Sequence, residues 1–314
     1  MASRRDHLVR SIVHGPELRV LTAFTTTTAR AAGSSHECAP TSAALLAQGL
    51  TAGLLLAASL EKEKARINLQ VACDGPAGGL FIDAGTDGTV RGYIRNSRVY
   101  FPSAPGEPLN PERAIGRRGY LNVLRDFGGS DIYRGMVELS DFDLAGDLRN
   151  YFRDSEQIDS AVALAVVPEG DEPLGLVAGM LIQRLPQGDP QAIDRAQAAL
   201  DAGALERGLR ENLSATALIA ALDLGPAGSA PPGSAPPGSA PMEIEVLADY
   251  PVEFKCRCSL DSVRRAVLTL GLEEVRSLFA EQGEARATCE LCGKKYLLAG
   301  PELLELIKQA NAET

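Results

Sequence analysis

Four cysteines near the end of the chain have a spacing suited to metal binding. Cys256 and Cys258 form a C-x-C pair, and Cys289 and Cys292 form a C-x-x-C pair after 30 intervening residues. Four thiolates in tetrahedral geometry around one ion make a closed, structural zinc site. Gly293 directly follows the second pair and permits the tight turn that such a ligand loop needs. The spacing therefore predicts one zinc ion (Zn2+) held by these four side chains.

The C-x-C pair also permits redox chemistry. Its two sulfurs can close a small disulfide ring, and strained disulfides are readily reduced. Zinc-bound thiolates are already deprotonated, which is the form that oxidants attack. The same four residues can thus bind metal when reduced and form two local disulfides when oxidised.

Length and charge limit the class of protein. A chain of 314 residues suggests about two domains, and a net charge of −10 with a pI of about 5.0 argues against contacts with nucleic-acid phosphates. Residues 243–314 carry nine Lys/Arg against thirteen Asp/Glu, which also disfavours a nucleic-acid finger. We therefore expect no nucleic-acid partner.

One stretch, residues 43–60, is apolar enough to consider as a membrane span. It contains Gln48 and Thr51 and is followed by four charged residues, so we interpret it as a buried helix. No apolar run follows the N-terminal residues, which disfavours a signal peptide. We expect a cytoplasmic protein without a membrane partner, in a compartment where thiols stay reduced.

Residues 1–185 are predicted to form a mixed α+β core domain around that central buried helix. Alternating or continuous apolar runs bounded by turn residues indicate strands, and Asp87-Gly88 indicates a hairpin. The predicted strand segments are residues 17–30, 65–72, 80–84, 90–94, 120–124, 132–139, 161–167 and 174–185.

Residues 186–224 are predicted to form an amphipathic helical linker. Asp189-Pro190 is a helix-start signature, and large apolar residues then recur at roughly helical spacing. Such a stripe is usually packed against a neighbouring surface, and the alternative is a surface that can be uncovered.

Residues 225–241 repeat Gly-Ser-Ala-Pro-Pro and are predicted to be a flexible tether. It precedes the predicted zinc-binding module, residues 242–314. A module of this size gains only a few kcal/mol from its core, whereas structural zinc contributes about 10–16 kcal/mol of binding free energy in peptides. Loss of the metal should therefore unfold the module.

With these features the chain resembles the 33-kDa heat-shock protein family, the redox-regulated holdase chaperones. The resemblance covers most of the chain, and the C-x-C with C-x-x-C spacing is its most specific part. The segments that carry it are residues 254–259 (FKCRCS), 289–296 (CELCGKKY), 74–80 (DGPAGGL), 90–96 (VRGYIRN) and 151–158 (YFRDSEQI).

The resemblance implies a cytoplasmic, ATP-independent chaperone that is quiet when reduced and zinc-loaded. Oxidation would join Cys256 to Cys258 and Cys289 to Cys292, and zinc would be lost. The module and linker would unfold, apolar surface would bind unfolding client proteins, and the oxidised chain would form a homodimer. Residues 189–224 occupy the place of the family's switch linker, and residues 225–241 look like an insertion.

Two rival classes remain at this stage. One is a zinc-ribbon adaptor that binds a partner constantly and has no switch. The other is a thiol–disulfide oxidoreductase, although its C-x-x-C is expected to open a helix after a strand. Other enzymatic chemistry has little support, because no nucleophile elbow or metal-binding His pair is present. Cys38 and Cys73 are interpreted as ordinary thiols.

Overall fold

The computed structural model describes residues 5–60, 62–104, 107, 109–128, 132–222, 224, 242–269, 273, 277, 280–281 and 284–299. The chain divides into two compact units, Met1–Phe254 and Lys255–Thr314. Helices and strands occur together along the described chain, which confirms the predicted α+β class. The predicted tether, residues 225–241, and the predicted end of the zinc module, residues 300–314, lie outside the described residues.

The first unit contains eleven of the described strands and six of the helices. In chain order these are β1 (His7–His14), β2 (Leu18–Phe24), α1 (Thr26–Ser35), α2 (Pro40–Ala58), β3 (Arg66–Cys73), β4 (Leu80–Gly85), β5 (Thr89–Ile94), β6 (Gly119–Asp126), β7 (Ile132–Glu138), α3 (Leu144–Tyr151), β8 (Ser160–Glu169), β9 (Glu172–Arg184), α4 (Pro190–Asp201), α5 (Ala204–Arg210), α6 (Ala215–Ala221), β10 (Glu243–Pro251) and β11 (Glu253–Phe254). A 3-10 turn at Pro111–Ala114 and a π turn at Phe152–Glu156 complete it.

Two sheets sandwich the central helix. The first sheet has the order β10-β1-β2-β9-β8 and is antiparallel throughout, and the second has the order β11-β5-β4-β3-β6-β7. Helix α2 contacts strands of both sheets, and all its residues except Pro40 and Gln48 are buried. A Cβ at Gly53 would lie 2.7 Å from Ile82, so glycine allows α2 to approach β4 closely.

Helix α2 is long and apolar enough to cross a membrane by length and composition, but 94% of its most apolar window is buried inside the protein. The predicted buried helix is therefore confirmed as the centre of the core. It supplies Leu45, Leu46, Leu50 and Leu54 to the main apolar cluster.

Helices α4 to α6 cover the other face of the first sheet. Alternate residues of the strands point to this side, such as Val20 of β2 and Met180 of β9, and form a second apolar cluster with the helices. Asp189 caps α4 as predicted by accepting a hydrogen bond from the amide of Gln191 at 2.9 Å. The amphipathic pattern is thus confirmed, and the apolar face is covered here. The helical residues in this cluster are Ala192, Ile193, Ala196, Leu200, Leu205, Leu209, Ala215, Leu218 and Ile219.

The N-terminal region differs from its prediction. Residues 17–30 were predicted to be extended, but only β2 is a strand and Thr26 already begins α1. The carboxylate of Asp6 accepts hydrogen bonds from the amides of Thr27 at 3.1 Å and Thr28 at 2.6 Å. This capping from a distant residue stabilises a helix start that the Thr-rich sequence does not favour.

Strand β10 also lies elsewhere than predicted. Residues 243–254 were placed at the start of the zinc module, whereas β10 pairs with β1 and β11 pairs with β5, both in the first unit. Ile244 packs against the second apolar cluster, and His14 Nε2 lies 3.0 Å from the carboxylate of Glu245. The second unit therefore begins at residue 255, whereas the zinc module was predicted to begin at residue 242. The reason is that β10 pairs with a strand from the opposite end of the chain.

The second unit is small in its described part. It contains α7 (Leu260–Leu268) and the antiparallel hairpin of β12 (Glu284–Thr288) and β13 (Lys295–Ala299). Ser259 caps α7 by accepting a hydrogen bond from the amide of Ser262 at 3.1 Å. The buried residues among those described are Val267, Ala285, Cys292, Tyr296 and Leu298.

Candidate metal centre

The four clustered cysteines come from two short segments of the second unit. Cys256 and Cys258 precede α7, and Cys289 and Cys292 lie in the connection between β12 and β13. The hairpin register pairs Thr288 with Lys295 directly beside this connection, so strand pairing fixes where the second pair sits.

The four sulfurs surround one position. All lie within 4.8 Å of one another, with Cys256 Sγ 3.8 Å from Cys289 Sγ and Cys258 Sγ 3.4 Å from Cys292 Sγ. Four sulfurs bound tetrahedrally at about 2.3 Å from one zinc ion would be about 3.8 Å apart. The donor set and its spacing therefore fit zinc, and in the described part of the chain no other group of His, Cys, Asp or Glu meets the same test.

The backbone around the C-x-x-C pair forms a tight ligand loop. The Gly293 amide donates to the carbonyl of Cys289 at 2.8 Å, and the Cys289 amide donates to the carbonyl of Lys294 at 2.9 Å. Gly293 has a φ of 67°, in the left-handed region that favours glycine. The turn predicted at Gly293 is confirmed, and it directs both thiols to the same side.

Burial raises the pKa of the Cys289 and Cys292 thiols, and backbone amide donors at Leu291 and Lys294 partly oppose it. In the absence of metal these thiols therefore hold their protons at neutral pH. A bound metal has to displace those protons, which makes occupancy of such a site depend on pH.

Tyr296 is a functional contact that the motif did not reveal. Its hydroxyl donates a hydrogen bond to Cys258 Sγ at 3.0 Å, which raises the pKa of Tyr296. The ring is buried, with 9% of the residue exposed, and the ammonium of Lys294 lies 5.1 Å from the ring centroid. Tyr296 alternates with exposed residues along β13, a period-2 signal that marks it as inward-facing.

Cys38 and Cys73 lie in the first unit and pack against its main apolar cluster. Burial raises the pKa of Cys38 to about 11 and also raises the pKa of Cys73. Both are thus protonated at neutral pH and poor targets for oxidants. None of the six cysteines, all of them among the described residues, forms a disulfide in this structure.

The C-x-x-C pair lacks the setting of a thiol–disulfide oxidoreductase. In such enzymes the motif opens a helix after a strand, whereas here it connects two antiparallel strands. The arrangement supports ligation over catalytic thiol exchange.

Comparison with known proteins gives one consistent result. The family model "Hsp33 protein" matches residues 6–299. The "33 kDa chaperonin" of Geobacillus kaustophilus is 32% identical over 309 residues, covering 98% of this chain and 99% of the relative, and that of a Cyanothece species is 34% identical over 310 residues, covering 98% of each.

The crystal structure of the 33 kDa chaperonin (heat shock protein 33 homolog) from Thermotoga maritima has a similar fold. Its TM-score is 0.80 with 21% identity, covering 98% of this chain and 100% of the other. The sequence match spans both compact units and includes all four clustered cysteines. Together these findings show that the chain belongs to the Hsp33 family of 33 kDa chaperonins.

Proposed function

We propose that this protein is a cytoplasmic, redox-regulated holdase chaperone that needs no ATP and is not an enzyme. The observation that carries the proposal is the set of four thiols around one position in a chain of the Hsp33 family. In the reduced state Cys256, Cys258, Cys289 and Cys292 would hold one zinc ion, and the protein would be inactive.

Zinc bound at this site would cross-link two segments of the second unit and keep their sulfurs as thiolates. The described part of that unit buries few side chains, so ligation would contribute most of its stability. These thiolates would be more readily oxidised than Cys38 and Cys73, because partial burial raises the pKa of those two thiols and keeps them protonated.

Oxidation would convert the four ligands into two local disulfides, Cys256–Cys258 and Cys289–Cys292. A sulfur in a disulfide is no longer a thiolate donor, so the two segments would lose the metal ion that they bind in common. One disulfide would lie within the C-x-C segment and the other within the hairpin connection, so neither would join the two segments. We therefore expect the second unit to unfold.

Unfolding can reach the amphipathic helices through β11 and β10, which connect Lys255 to the first unit. Ile244 of β10 packs against the same apolar cluster that α4 to α6 cover. Loss of β10 from its sheet would thus loosen the helices on that face. Their apolar stripe and the strands beneath it would become available to unfolding client proteins and to a second oxidised copy of the chain.

A light-scattering assay tests the proposal. A denatured test enzyme is diluted into buffer with this protein, either reduced and zinc-loaded or oxidised by peroxide at elevated temperature. We expect only the oxidised form to suppress aggregation, with release of about one zinc per chain, measured with a chromophoric chelator in the same samples.

The double variant Cys38→Ala/Cys73→Ala is the matched control, because it leaves the four clustered cysteines as the only thiols. It should switch as the wild type does, and digestion of the oxidised form should give the Cys256–Cys258 and Cys289–Cys292 peptides. Activity of the zinc-loaded form alone, or inactivity of both forms, would instead support a constitutive zinc-ribbon adaptor.

A further inference from the structure

The hydroxyl of Tyr296 is directed toward one of the four sulfurs by the hairpin of β12 and β13. Tyr296 pairs with Ala287 in the hairpin, and its neighbour Leu298 is buried on the same face. The ring therefore has a fixed position, and its hydroxyl reaches Cys258 at 3.0 Å. Backbone amides at Leu291 and Lys294 also donate to the sulfur cluster, and a side-chain substitution cannot remove those donors.

We propose that Tyr296 is a positioning residue that restrains the oxidation of Cys258 and so sets how readily the metal centre opens. This inference rests on the proposed function for its biological meaning, but the chemistry at Cys258 can be measured independently. Its basis is the side-chain O–H donor on a sulfur that is both ligand and nucleophile.

The restrained step is attack of the Cys258 thiolate on a peroxide. A sulfur electron pair forms an S–O bond while the O–O bond breaks, giving a sulfenic acid and a hydroxide that takes a proton to become water. The Cys256 thiolate then attacks that sulfur to form the S–S bond, the S–O bond breaks, and the departing hydroxide takes one proton to leave as a second water. The two sulfurs lose two electrons in total, and the peroxide gains them.

A hydrogen bond to a thiolate draws electron density from the sulfur lone pairs. Such charge-assisted bonds are stronger than neutral ones, and donors outside the ligand shell tune the ligands they touch. The sulfur that accepts from Tyr296 is therefore a weaker nucleophile toward peroxide than it would be without the hydrogen bond. The same bond spreads the charge of four clustered thiolates, which favours the metal-bound state.

The conservative variant Tyr296→Phe tests this, because it keeps the ring and removes only the hydroxyl. We expect about 3- to 10-fold faster zinc release under a fixed peroxide concentration, and about 10-fold weaker zinc binding. When the zinc-loaded variant is alkylated and analysed by mass spectrometry, the reaction rate should increase over wild type more at Cys258 than at the other three cysteines. In the cobalt-substituted protein the sulfur-to-metal charge-transfer band should shift.

The second variant, Tyr296→Leu, removes the ring as well as the hydroxyl, so comparing it with Tyr296→Phe distinguishes the effect of the hydroxyl from that of ring packing. If Tyr296→Phe leaves the release rate, the alkylation pattern and the cobalt spectrum at wild-type values while Tyr296→Leu changes them, the ring merely packs and the proposal is overturned. An equal increase at all four cysteines would also overturn it. Failure of the proposed function looks different, since the aggregation assay would then give no switch in the wild type while the chemical rates remain measurable.

Discussion

The two compact units are stabilised in different ways. The first buries α2 between two sheets and covers a further sheet face with α4 to α6, so apolar packing runs through all its layers. The described part of the second buries only a few side chains, and one of them, Cys292, belongs to the sulfur cluster. The first unit is therefore held together by apolar burial, and we propose that the second is held together by metal ligation.

Under the proposed function, this contrast would allow one chain to contain both a stable body and a part that unfolds on oxidation. Apolar burial does not depend on redox conditions, whereas thiolate ligation ends when the sulfurs are oxidised. If all four clustered cysteines are ligands, as proposed, their place in the small unit would confine the redox sensitivity to that unit. The following tests either break this contrast or sharpen it.

Removal of the metal should have the largest effect. Since structural zinc contributes about 10–16 kcal/mol in peptides, a strong chelator under reducing conditions should unfold the second unit. Hydrogen exchange should then show loss of protection in β12 and β13, while β3 and β4 of the same molecule stay protected as an internal control. Persistent protection of β13 without metal would show that packing alone holds this unit.

A core truncation should affect the first unit alone. Leu50 is fully buried in α2, so Leu50→Ala should lower the free energy of unfolding of the first unit by about 2–5 kcal/mol. Zinc content should stay at the wild-type level. The matched variant Leu297→Ala removes a leucine that is 52% exposed in β13 and should change stability little, in chemical denaturation followed by circular dichroism. Loss of zinc in Leu50→Ala would contradict the separation of the two units.

The smallest expected effect is a change in the pKa of His14, which reports whether β10 lies beside β1. The hydrogen bond that His14 donates to the Glu245 carboxylate raises the pKa of His14 above 6.5, so this pair adds stability below pH 6.5 that is lost as pH rises through the folded-state pKa. NMR titration should show that Glu245→Gln lowers the pKa of His14. Glu243→Gln should lower it less, because Glu243 acts only through its more distant charge. An unchanged pKa in Glu245→Gln would place β10 elsewhere than beside β1.

Local patterns predicted the parts of the structure that depend on neighbouring residues. The buried helix α2, the hairpin at Asp87-Gly88 and the cap at Asp189 each follow from residue type and spacing within a short window. The four cysteines were predicted as a set because closely paired thiols have few structural roles other than metal binding or disulfide formation.

Contacts between distant segments were not predictable in this way. Asp6 determines where α1 begins, and β1 determines where β10 belongs, and neither partner is near its target in sequence. The hydrogen bond from Tyr296 to Cys258 depends on the hairpin register and on the path of the segment that carries Cys258. Local sequence reports neither.

The placement of β10 also shows that residues 225–241 connect two parts of the first unit. Leu224 packs in the second apolar cluster and β10 lies in the first sheet, so both ends of this stretch are anchored on one body. When both ends of a segment are anchored on one body, the free-energy cost of joining them grows only with the logarithm of the segment's length, about 0.6 kcal/mol per doubling. Residues can therefore be inserted or deleted there at little cost in folding free energy. Such changes do not alter the length of chain between the first unit and the four clustered cysteines of the second.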